Sequence, residues 1–330
     1  MSSNALLDSF RLPPGAAPVA CVDIGGTKVA VNIVDALGIR GKVFEPTATT
    51  GSNDALGQQI IRLIGQSCAV AGVPVASIAR VGVASCGPFV HNQGMVELAT
   101  PNICGGLAGK ARGLPNDWPT ALLEAPLRAA FASVRVENDG IGALEAERRW
   151  GALQRGGVPL DNCAYVTWST GIGTGLCVDG RVLRGKNGNA GHAGHIFVSD
   201  NTDALCGCGN VGDVEGLIAG NSLARRFAPL GYADPATLFE AAYAGDTRAA
   251  GLIDDVCRVM GRMLYNLIAT LDLARISIGG SVYWHHRDYL LPRLRAAVCG
   301  KLPALTDDCE LVSAGLGLHV GDFGALALVA

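Results

Sequence analysis

The sequence lacks two features that would assign the protein to a class at once, a charge excess and a long apolar run. It carries 26 basic and 29 acidic side chains, for a net charge of -3. No cationic surface for nucleic acid or anionic lipid is therefore expected. Its apolar residues are spread along the chain, and no uninterrupted run is long enough to span a bilayer. Neither a nucleic-acid partner nor a membrane partner is predicted.

A regular cysteine framework is also missing. The eleven cysteines are an odd number and are scattered singly, apart from Cys206 and Cys208. A secreted disulfide protein would have an even set at framework spacings. The first residues lack the basic and apolar regions of a signal peptide. We therefore expect a soluble, reduced, cytoplasmic protein, and 330 residues are enough for two domains.

Two similar groups of strands are predicted, one in each half of the chain. Residues 18–23, 29–34 and 39–44 form the first meander, and residues 162–168, 175–178 and 181–183 form the second. Helices are expected at 54–71, 121–132, 140–150, 214–227, 235–244, 247–271, 289–298 and 321–329. Further strands are expected at 81–84, 134–137 and 276–278, and an irregular segment at 107–119. The pattern indicates two related α/β halves with a ligand-binding cleft between them.

A glycine-rich acidic turn follows the first predicted strand. It contains Asp23, Gly25, Gly26, Thr27 and Lys28. Glycine lets backbone N–H groups approach an anion, the threonine adds a hydroxyl donor, and the aspartate can hold Mg²⁺ through water. From these residues alone, an ordinary hairpin turn remains the alternative.

A second turn, residues 169–175, opens the second meander and includes Thr170, Gly171, Gly173 and Thr174. It is not a dinucleotide-binding fingerprint, because the third glycine falls at the wrong spacing and no strand-to-helix step follows. It is not a Walker loop either, since no Gly-Lys-Ser/Thr follows. Alternating glycine and hydroxyl residues still suit a phosphate, and one such turn in each half is more specific than either alone.

Asn138 and Asp139 stand where a predicted strand meets a predicted helix. Helix capping explains both residue types, because asparagine and aspartate are favoured at the helix N-terminus. A carboxylate fixed at the end of a rigid element can also take a hydroxyl proton while a phosphoryl group is attacked. One residue can serve both purposes.

The most crowded segment runs from Gly191 to Glu215. It holds His192 and His195, then Cys206 and Cys208, and then Asp213, at a position where a third thiol would complete a familiar zinc set. Zinc accepts a carboxylate oxygen as its fourth ligand, so His195, Cys206, Cys208 and Asp213 are candidate metal ligands. The alternatives are weaker zinc binding or a segment held by hydrogen bonds alone.

Together these motifs resemble the ROK family of sugar kinases and related repressors, which have the two-lobed, actin-like ATPase (ribonuclease H-like) α/β fold. The likeness covers nearly the whole chain from about Ala20. It rests on DIGGTK at 23–28, PN at 101–102, END at 137–139, STGIGTG at 169–175, AGHAGH at 190–195, CGCGNVGDVE at 206–215 and GGS at 279–281. The resemblance implies a small lobe of residues 1–137 and 316–330, and a large lobe of residues 138–315.

The resemblance also implies transfer of the γ-phosphoryl group of MgATP to a sugar hydroxyl, usually on C6. Asp139 would be the general base, and Gly279 and Gly280 would lie against the adenosine. The 23–28 and 169–175 turns would hold the phosphates. The remaining implied contacts are with the sugar hydroxyls, and are made by Asn102, Asn138, His192, His195 and Glu215. A homodimer is the family habit.

Two positions depart from the family pattern. Family glucokinases usually carry glutamate where this chain has His192, and bacterial N-acetylmannosamine kinases resemble this chain in carrying histidine there. Carboxylate only accepts hydrogen bonds, whereas neutral imidazole donates one and accepts one, so a substituent other than a plain glucose hydroxyl is expected. N-acetylmannosamine is the favoured substrate, with glucose and an amino-sugar or cyclitol precursor as alternatives. The second departure is Asp213, which stands in place of the third zinc thiol and leaves open whether a zinc ion is bound.

Two other classes of function fit the sequence less well than a kinase. A family repressor carries a DNA-binding region before the first phosphate turn, and only 22 mostly uncharged residues precede Asp23. A non-catalytic sugar-binding protein would lack Asp139 or the phosphate turns, and all of them are present. Polyphosphate remains an alternative donor to ATP, because glycine turns hold phosphate chains without selecting a nucleoside.

Overall fold

The computed structural model describes residues 10–108, 113–200 and 204–330. The strands are β1 Val19–Ile24, β2 Lys28–Asp35, β3 Gly38–Pro46, β4 Arg80–Ser85, β5 Phe89–Asn92, β6 Met95–Leu98, β7 Ala121–Leu122, β8 Val134–Asn138, β9 Gln154–Arg155, β10 Val158–Pro159, β11 Cys163–Trp168, β12 Ile172–Val178, β13 Arg181–Val182, β14 Arg275–Gly279 and β15 Glu310–Ser313. The α-helices are α1 Ala55–Ala71, α2 Gly105–Ala108, α3 Glu124–Ala130, α4 Asp139–Trp150, α5 Val214–Ile218, α6 Gly220–Phe227, α7 Pro235–Tyr243, α8 Thr247–Leu271, α9 Ser281–His285, α10 Arg287–Val298, α11 Pro303–Thr306 and α12 Val320–Ala327. Short 3₁₀ helices cover Val75–Ser77, Ala193–His195, Ala228–Leu230 and Gly317–His319.

The chain forms two compact units. The first comprises the described residues up to Ala146, together with Arg184–Ala190 and His319–Ala330. The second comprises Glu147–Leu183 and the described residues of Gly191–Leu318. The division into lobes at residues 137 and 316 remains a prediction about domain organisation.

The first unit is built on a sheet of order β3-β2-β1-β4-β8. Its first three strands are antiparallel neighbours, whereas β4 and β8 run parallel to β1. Strands β1 and β4 are almost wholly buried, as expected for strands covered on both faces. Helix α1 packs on this sheet through apolar residues at helical spacing and ends at Gly72, whose φ of 68° suits a left-handed cap.

The second unit repeats this topology, with a sheet of order β13-β12-β11-β14-β15. Strands β11, β12 and β13 are antiparallel neighbours, while β14 and β15 run parallel to β11. Its core includes the long helix α8, which begins at an Asp246 cap that accepts hydrogen bonds from two backbone N–H groups. The predicted duplication of an α/β fold is confirmed.

Several predicted elements need correction. The single helix expected at 214–227 is two helices, because Ala219 is extended and the N–H of Gly220 donates to the Ser169 carbonyl. The helix expected at 121–132 covers only Glu124–Ala130, since Ala121 and Leu122 pair with strand β6. The sequence reasoning missed strands β5, β6, β7, β9, β10 and β15 and the short helices α2, α9 and α11. Part of the predicted irregular segment, residues 109–112, lies outside the described residues.

Most of the longer predicted elements are confirmed. Helix α8 has the predicted bounds, and helix α1 starts one residue later than predicted. Among the described helices, none has the combination of length and hydropathy that crossing a membrane requires.

Candidate active site

The carboxyl ends of three parallel strands gather the predicted catalytic residues of the first unit. Residues Asp23, Ala84 and Glu137 lie side by side on β1, β4 and β8, and Ile24, Ser85 and Asn138 form the next row. Asp139 follows immediately as the first residue of α4. Parallel strands bring their carboxyl ends to one edge, where ligands of α/β proteins bind. The edge therefore places Asp139 in the neighbourhood of the Asp23 turn.

Asp139 has the electrostatics of a general base. Loss of hydration, together with the neighbouring Asp23 carboxylate, raises the pKa of Asp139 to about 7. The N–H of Gly140 acts to lower this pKa, because it donates a hydrogen bond to the Asp139 carboxylate at 2.8 Å. The same N–H also donates to Asn138 Oδ1 at 3.0 Å. A carboxylate that titrates near neutral pH is suited to accept a hydroxyl proton. Capping and proton transfer are thus compatible at this position.

The Asp23 turn is a closed hairpin. The Gly25 N–H donates to the Lys28 carbonyl at 2.8 Å, and the Thr47 hydroxyl donates to the Gly25 carbonyl at 2.9 Å. A Cβ on Gly26 would lie 3.1 Å from Cβ of Asn102, so the structure brings Asn102 against this turn. Thr27 and Lys28 are exposed. The turn therefore presents its glycine backbone and two polar side chains to solvent.

Asp23 supplies the second carboxylate at this edge. Burial, followed by the charge of Asp322, raises the pKa of Asp23 to about 6, against the lowering effect of Lys28 and Lys42. Carboxylate oxygens are the hard ligands that Mg²⁺ prefers, and Mg²⁺ commonly takes one or two of them alongside substrate phosphates. The Asp23 carboxylate therefore suits a magnesium ion, which leaves Asp139 free to act as a base.

In the second unit, the 169–175 turn lies beside Gly279 and Gly280. Strands β11 and β14 pair in parallel up to Thr167 and Gly279, and the hydroxyls of Ser169 and Ser281 lie 2.9 Å apart. A Cβ on Gly280 would be 2.4 Å from the Trp168 carbonyl oxygen, and φ of Gly280 is 89°. Only glycine fits such an approach. The two glycine motifs of this unit are therefore adjacent, with Gly280 partly exposed and Gly279 buried.

Not every member of the 169–175 turn is open to a ligand. Thr170 is exposed, and Gly171 and Gly173 are partly exposed. Thr174 is fully buried, and its hydroxyl donates to the Gly191 carbonyl at 2.6 Å. Thr174 therefore holds the segment that leads to His192, and its predicted contact with a phosphate gains no support from this geometry.

The two predicted sugar-facing histidines are neighbours. Their ring centroids lie 6.1 Å apart, and both side chains are partly exposed. Burial, followed by the proximity of His195, lowers the pKa of His192, with Glu215 acting in the opposite direction. His192 is thus neutral at pH 7, able to donate one hydrogen bond and to accept one. A hydrogen bond with Asp213 raises the pKa of His195.

Glu215 occupies a linking position that the sequence did not reveal. Its Oε2 accepts a hydrogen bond from the Ile172 N–H at 2.9 Å, within the 169–175 turn. Its Oε1 lies 3.6 Å from Sγ of Cys206. Glu215 therefore connects the predicted phosphate turn to the cysteine segment, in addition to any contact with a sugar.

The four predicted metal ligands form one cluster. One ligand atom from each of His195, Cys206, Cys208 and Asp213 lies within 4.8 Å of all the others. Nδ1 of His195 is 3.1 Å from Oδ2 of Asp213 and 3.6 Å from Sγ of Cys206, and Sγ of Cys208 is 3.5 Å from Asp213 Oδ2. Tetrahedral zinc with ordinary bond lengths places its ligands roughly 3.3–3.8 Å apart. The donor set fits a structural zinc ion.

Asp213 is both a candidate metal ligand of this cluster and a helix cap. Its Oδ2 faces His195 and Cys208, while its Oδ1 accepts the Gly216 N–H at 2.6 Å and caps helix α5. Burial opposes ionisation, but hydrogen bonds from His195 and Gly216 hold the pKa of Asp213 below its usual value. A carboxylate can therefore complete the ligand set while it starts the helix that carries Glu215.

The sequence reasoning also missed Lys42 and Asp322. Both act on Asp23, and Lys42 Nζ lies 2.8 Å from both Asp322 carboxylate oxygens. They are separated by 280 residues, so no local spacing pattern points to the pair.

Comparison with known proteins agrees with the fold and the motifs. The sequence profile of the ROK family matches residues 19–330. A glucokinase from Aeropyrum pernix is 30% identical over 94% of this chain and 96% of its own length. An N-acetylmannosamine kinase from Escherichia coli O157:H7 is 32% identical over 79% of this chain and 82% of its own length.

A solved structure adds the same result at the level of the fold. The ROK hexokinase from Thermus thermophilus is 30% identical to this chain and superposes with a TM-score of 0.72. The match covers 95% of this chain and 97% of the hexokinase chain. The predicted two-lobed, actin-like ATPase fold class is confirmed. The chain therefore belongs to the ROK family, among its sugar kinases.

Proposed function

We propose that this protein transfers the γ-phosphoryl group of ATP to the C6 hydroxyl of an amino sugar, with N-acetylmannosamine as the preferred acceptor. The observation that carries the proposal is Asp139, which combines a pKa of about 7 with a fixed place at the carboxyl edge of the first sheet. Asp139 accepts the proton of the attacking hydroxyl as the oxygen forms its bond to the γ-phosphorus, while the bond from that phosphorus to the β,γ-bridging oxygen breaks and ADP leaves.

The remaining predicted residues have roles that follow from their position and chemistry. The backbone of the 23–28 turn, with Thr27 and Lys28, binds phosphate oxygens in the first unit, and Thr170, Gly171 and Gly173 do so in the second. Asn102 and Asn138 bind sugar hydroxyls, as does Glu215. Gly280 is partly exposed and supplies backbone surface for the adenosine, whereas Gly279 is buried and the predicted contact with it gains no support.

Two ions complete the proposal. Mg²⁺, held at Asp23 through water, would offset the charge of the phosphates during transfer. Zn²⁺, held by His195, Cys206, Cys208 and Asp213, would brace the segment that carries the sugar ligands. Nδ1 of His195, the nitrogen that lies 3.1 Å from Asp213 Oδ2, would then bind the zinc ion, which leaves Nε2 for the sugar. A cytoplasmic location and a homodimer remain predictions.

His192 supports the choice of an N-acetylated sugar. Its pKa is lowered, so at neutral pH the ring is an uncharged donor and acceptor. An acetamido group offers one carbonyl oxygen and one N–H, which such a ring can satisfy. Glucose offers hydroxyls that a carboxylate at this position would hold instead. Glucose and an amino-sugar or cyclitol precursor are the competing acceptors.

A sugar panel tests the proposal. ADP release is measured with MgATP and N-acetylmannosamine, N-acetylglucosamine, mannose, glucose and an inositol, for the wild type and for His192→Glu. We expect the highest kcat/KM with N-acetylmannosamine, and a shift of at least tenfold in the ratio toward glucose in the variant. His192→Gln is the matched control, because it is neutral and keeps a donor and an acceptor.

The outcomes separate the parts of the proposal. Equal preference in the wild type and in His192→Glu would remove His192 as the selecting residue. Turnover of glucose alone by the wild type would make the protein a glucokinase. Absence of turnover with every acceptor would contradict the kinase assignment.

A further inference from the structure

A charged cluster lies directly behind the Asp23 turn and has no part in the function described so far. It consists of Asn32 on β2, Lys42 on β3 and Asp322 on α12, all in the first unit. Lys42 Nζ lies 2.8 Å from both oxygens of Asp322, and Asn32 Nδ2 donates to Asp322 Oδ1 at 3.0 Å. We call these three residues the Asp322 cluster.

The cluster is adjacent to Asp23 by two independent criteria. A Cβ placed on Gly321 would lie 2.9 Å from Oδ2 of Asp23, so the residue that precedes Asp322 packs on this carboxylate. Asn32 pairs with Cys21 across the β1–β2 ladder, two residues before Asp23. The charge of Asp322 acts on Asp23 and on Cys21, and the charge of Lys42 acts on Asp23 in the opposite sense.

Asn32 shows that the fold is arranged to hold the Asp322 carboxylate. Asn32 is 3% exposed, and its Oδ1 is one of the buried side-chain atoms without a hydrogen-bond partner in the described part of the chain. Turning the amide over would direct this oxygen at the Asp322 carboxylate, which also only accepts hydrogen bonds. The chain thus leaves one buried acceptor unpaired to give Asp322 a donor, although an unpaired buried acceptor is costly.

Stability does not explain Lys42. Its side chain is 52% exposed, while that of Asp322 is 9% exposed. Ion pairs with a half-exposed partner contribute little to folding, because solvent screens them. The charge of Lys42 also bears on an anion bound at the adjacent 23–28 turn, because Asp23 and Asp322 would otherwise place two neighbouring carboxylates there without compensation.

We propose that Lys42, oriented by Asp322 and Asn32, is a positioning residue of the nucleotide site. It offsets the charge of Asp322 beside Asp23 and thereby keeps the 23–28 turn able to accept the anionic MgATP complex. This inference rests on the proposed function, in which the 23–28 turn binds phosphates. It predicts an effect on nucleotide affinity and none on the sugar.

The test compares Lys42→Met with Arg40→Met. Arg40 lies two residues away on the same strand and pairs with Asp35, so this control removes the same charge from the same strand without touching Asp322. Binding of the magnesium complex of AMPPNP is measured by calorimetry, which needs no turnover. KM for MgATP and for the sugar are measured in parallel, with thermal unfolding as the check on folding.

We expect Lys42→Met to weaken nucleotide binding about tenfold, the size of effect that one unit charge exerts near a protein surface. The sugar KM and the Arg40→Met control stay within about twofold of the wild type. Lys42→Arg retains most of the affinity. The double variant Lys42→Met/Asp322→Asn recovers most of the loss, because it removes the uncompensated carboxylate as well.

Three results would overturn the inference. These are unchanged nucleotide affinity in a folded Lys42→Met protein, an equal loss in Arg40→Met, and no recovery in the double variant. Failure of the wild type to bind the nucleotide at all is a different outcome, since it would contradict ATP as the donor. Thermal unfolding near the wild-type temperature shows that a loss of affinity is not a folding defect, and Lys42→Gln, which also removes the charge, repeats the test if the methionine variant is unstable.

Discussion

The titration of Asp139 leads to a prediction in which activity and stability change in opposite directions. Its pKa is raised from 3.8 to about 7, first by burial and then by Asp23. A base must be deprotonated, so kcat/KM should fall as pH drops below about 7, and the rate at pH 6 should be about a tenth of the plateau. In Asp139→Asn, kcat should fall at least a hundredfold, and the residual rate should lose this acid limb.

The contribution of Asp139 to folding stability changes with pH in the opposite direction to its contribution to activity. Between about pH 4 and pH 7, folded Asp139 binds a proton more tightly than the unfolded chain does, so its contribution destabilises the fold as pH rises. A shift of about 3 units corresponds to an upper limit of about 4 kcal/mol. Asp139→Asn should therefore be more stable than the wild type at pH 8, and the difference should disappear near pH 4.

The assays are rate measurements from pH 5 to 9 and urea unfolding at pH 4.5 and 8. Asp23→Asn serves as the companion variant, since removal of its charge should move the acid limb to lower pH even if the plateau rate also falls. Retention of a tenth of the activity by Asp139→Asn would exclude Asp139 as the general base. An acid limb that stays near pH 7 in the variant would exclude it equally.

Two further predictions concern the second unit. The purified protein should hold about one zinc ion per chain by inductively coupled plasma mass spectrometry. Cys206→Ser should lose the zinc, unfold at lower temperature and raise the sugar KM, whereas substitution of the exposed Cys299 should change none of these. Zinc-free protein with unaltered sugar affinity would contradict the proposal that zinc supports the sugar-binding segment. Gly280→Ala should lower the free energy of unfolding in urea by about 2 kcal/mol or more, because its Cβ would meet the Trp168 backbone at 2.4 Å. Gly251→Ala, in open space on helix α8, should raise the free energy of unfolding by about 0.5–1 kcal/mol. Equal effects at both positions would show that the contact with Trp168 is relaxed.

The sequence predicts the fold well where the signals are local. The apolar spacing of α1 and α8 is regular and their ends carry a left-handed glycine or an aspartate cap, so their bounds follow closely. Residues 214–227 also show helical spacing, but Ala219 breaks the helix because the Gly220 N–H pairs with Ser169, some fifty residues earlier. Such a tertiary hydrogen bond leaves no trace in periodicity.

The candidate site was likewise predictable where its residues are close in sequence, but not where contacts join distant segments. Glycines, histidines and cysteines at close spacing identify the two phosphate turns and the four-residue ligand cluster, and the cluster is close in space. The bond from Ile172 to Glu215 and the pairing of Lys42 with Asp322 join segments 43 and 280 residues apart. Likewise, the burial of Thr174 depends on how Gly191 packs, and a hydroxyl in a glycine-rich turn looks the same in sequence whether it faces inward or outward.

Phosphorus NMR of the reaction product shows directly whether the protein phosphorylates the C6 hydroxyl of an amino sugar. The wild type is incubated with MgATP and N-acetylmannosamine, and the spectrum is recorded with and without proton decoupling. We expect a new phosphomonoester signal that splits into a triplet through the two C6 protons, and at most about a hundredth of that signal from Asp139→Asn over the same reaction time. A doublet would place the phosphate on a ring hydroxyl, and absence of any ester with every sugar of the panel would contradict sugar phosphorylation.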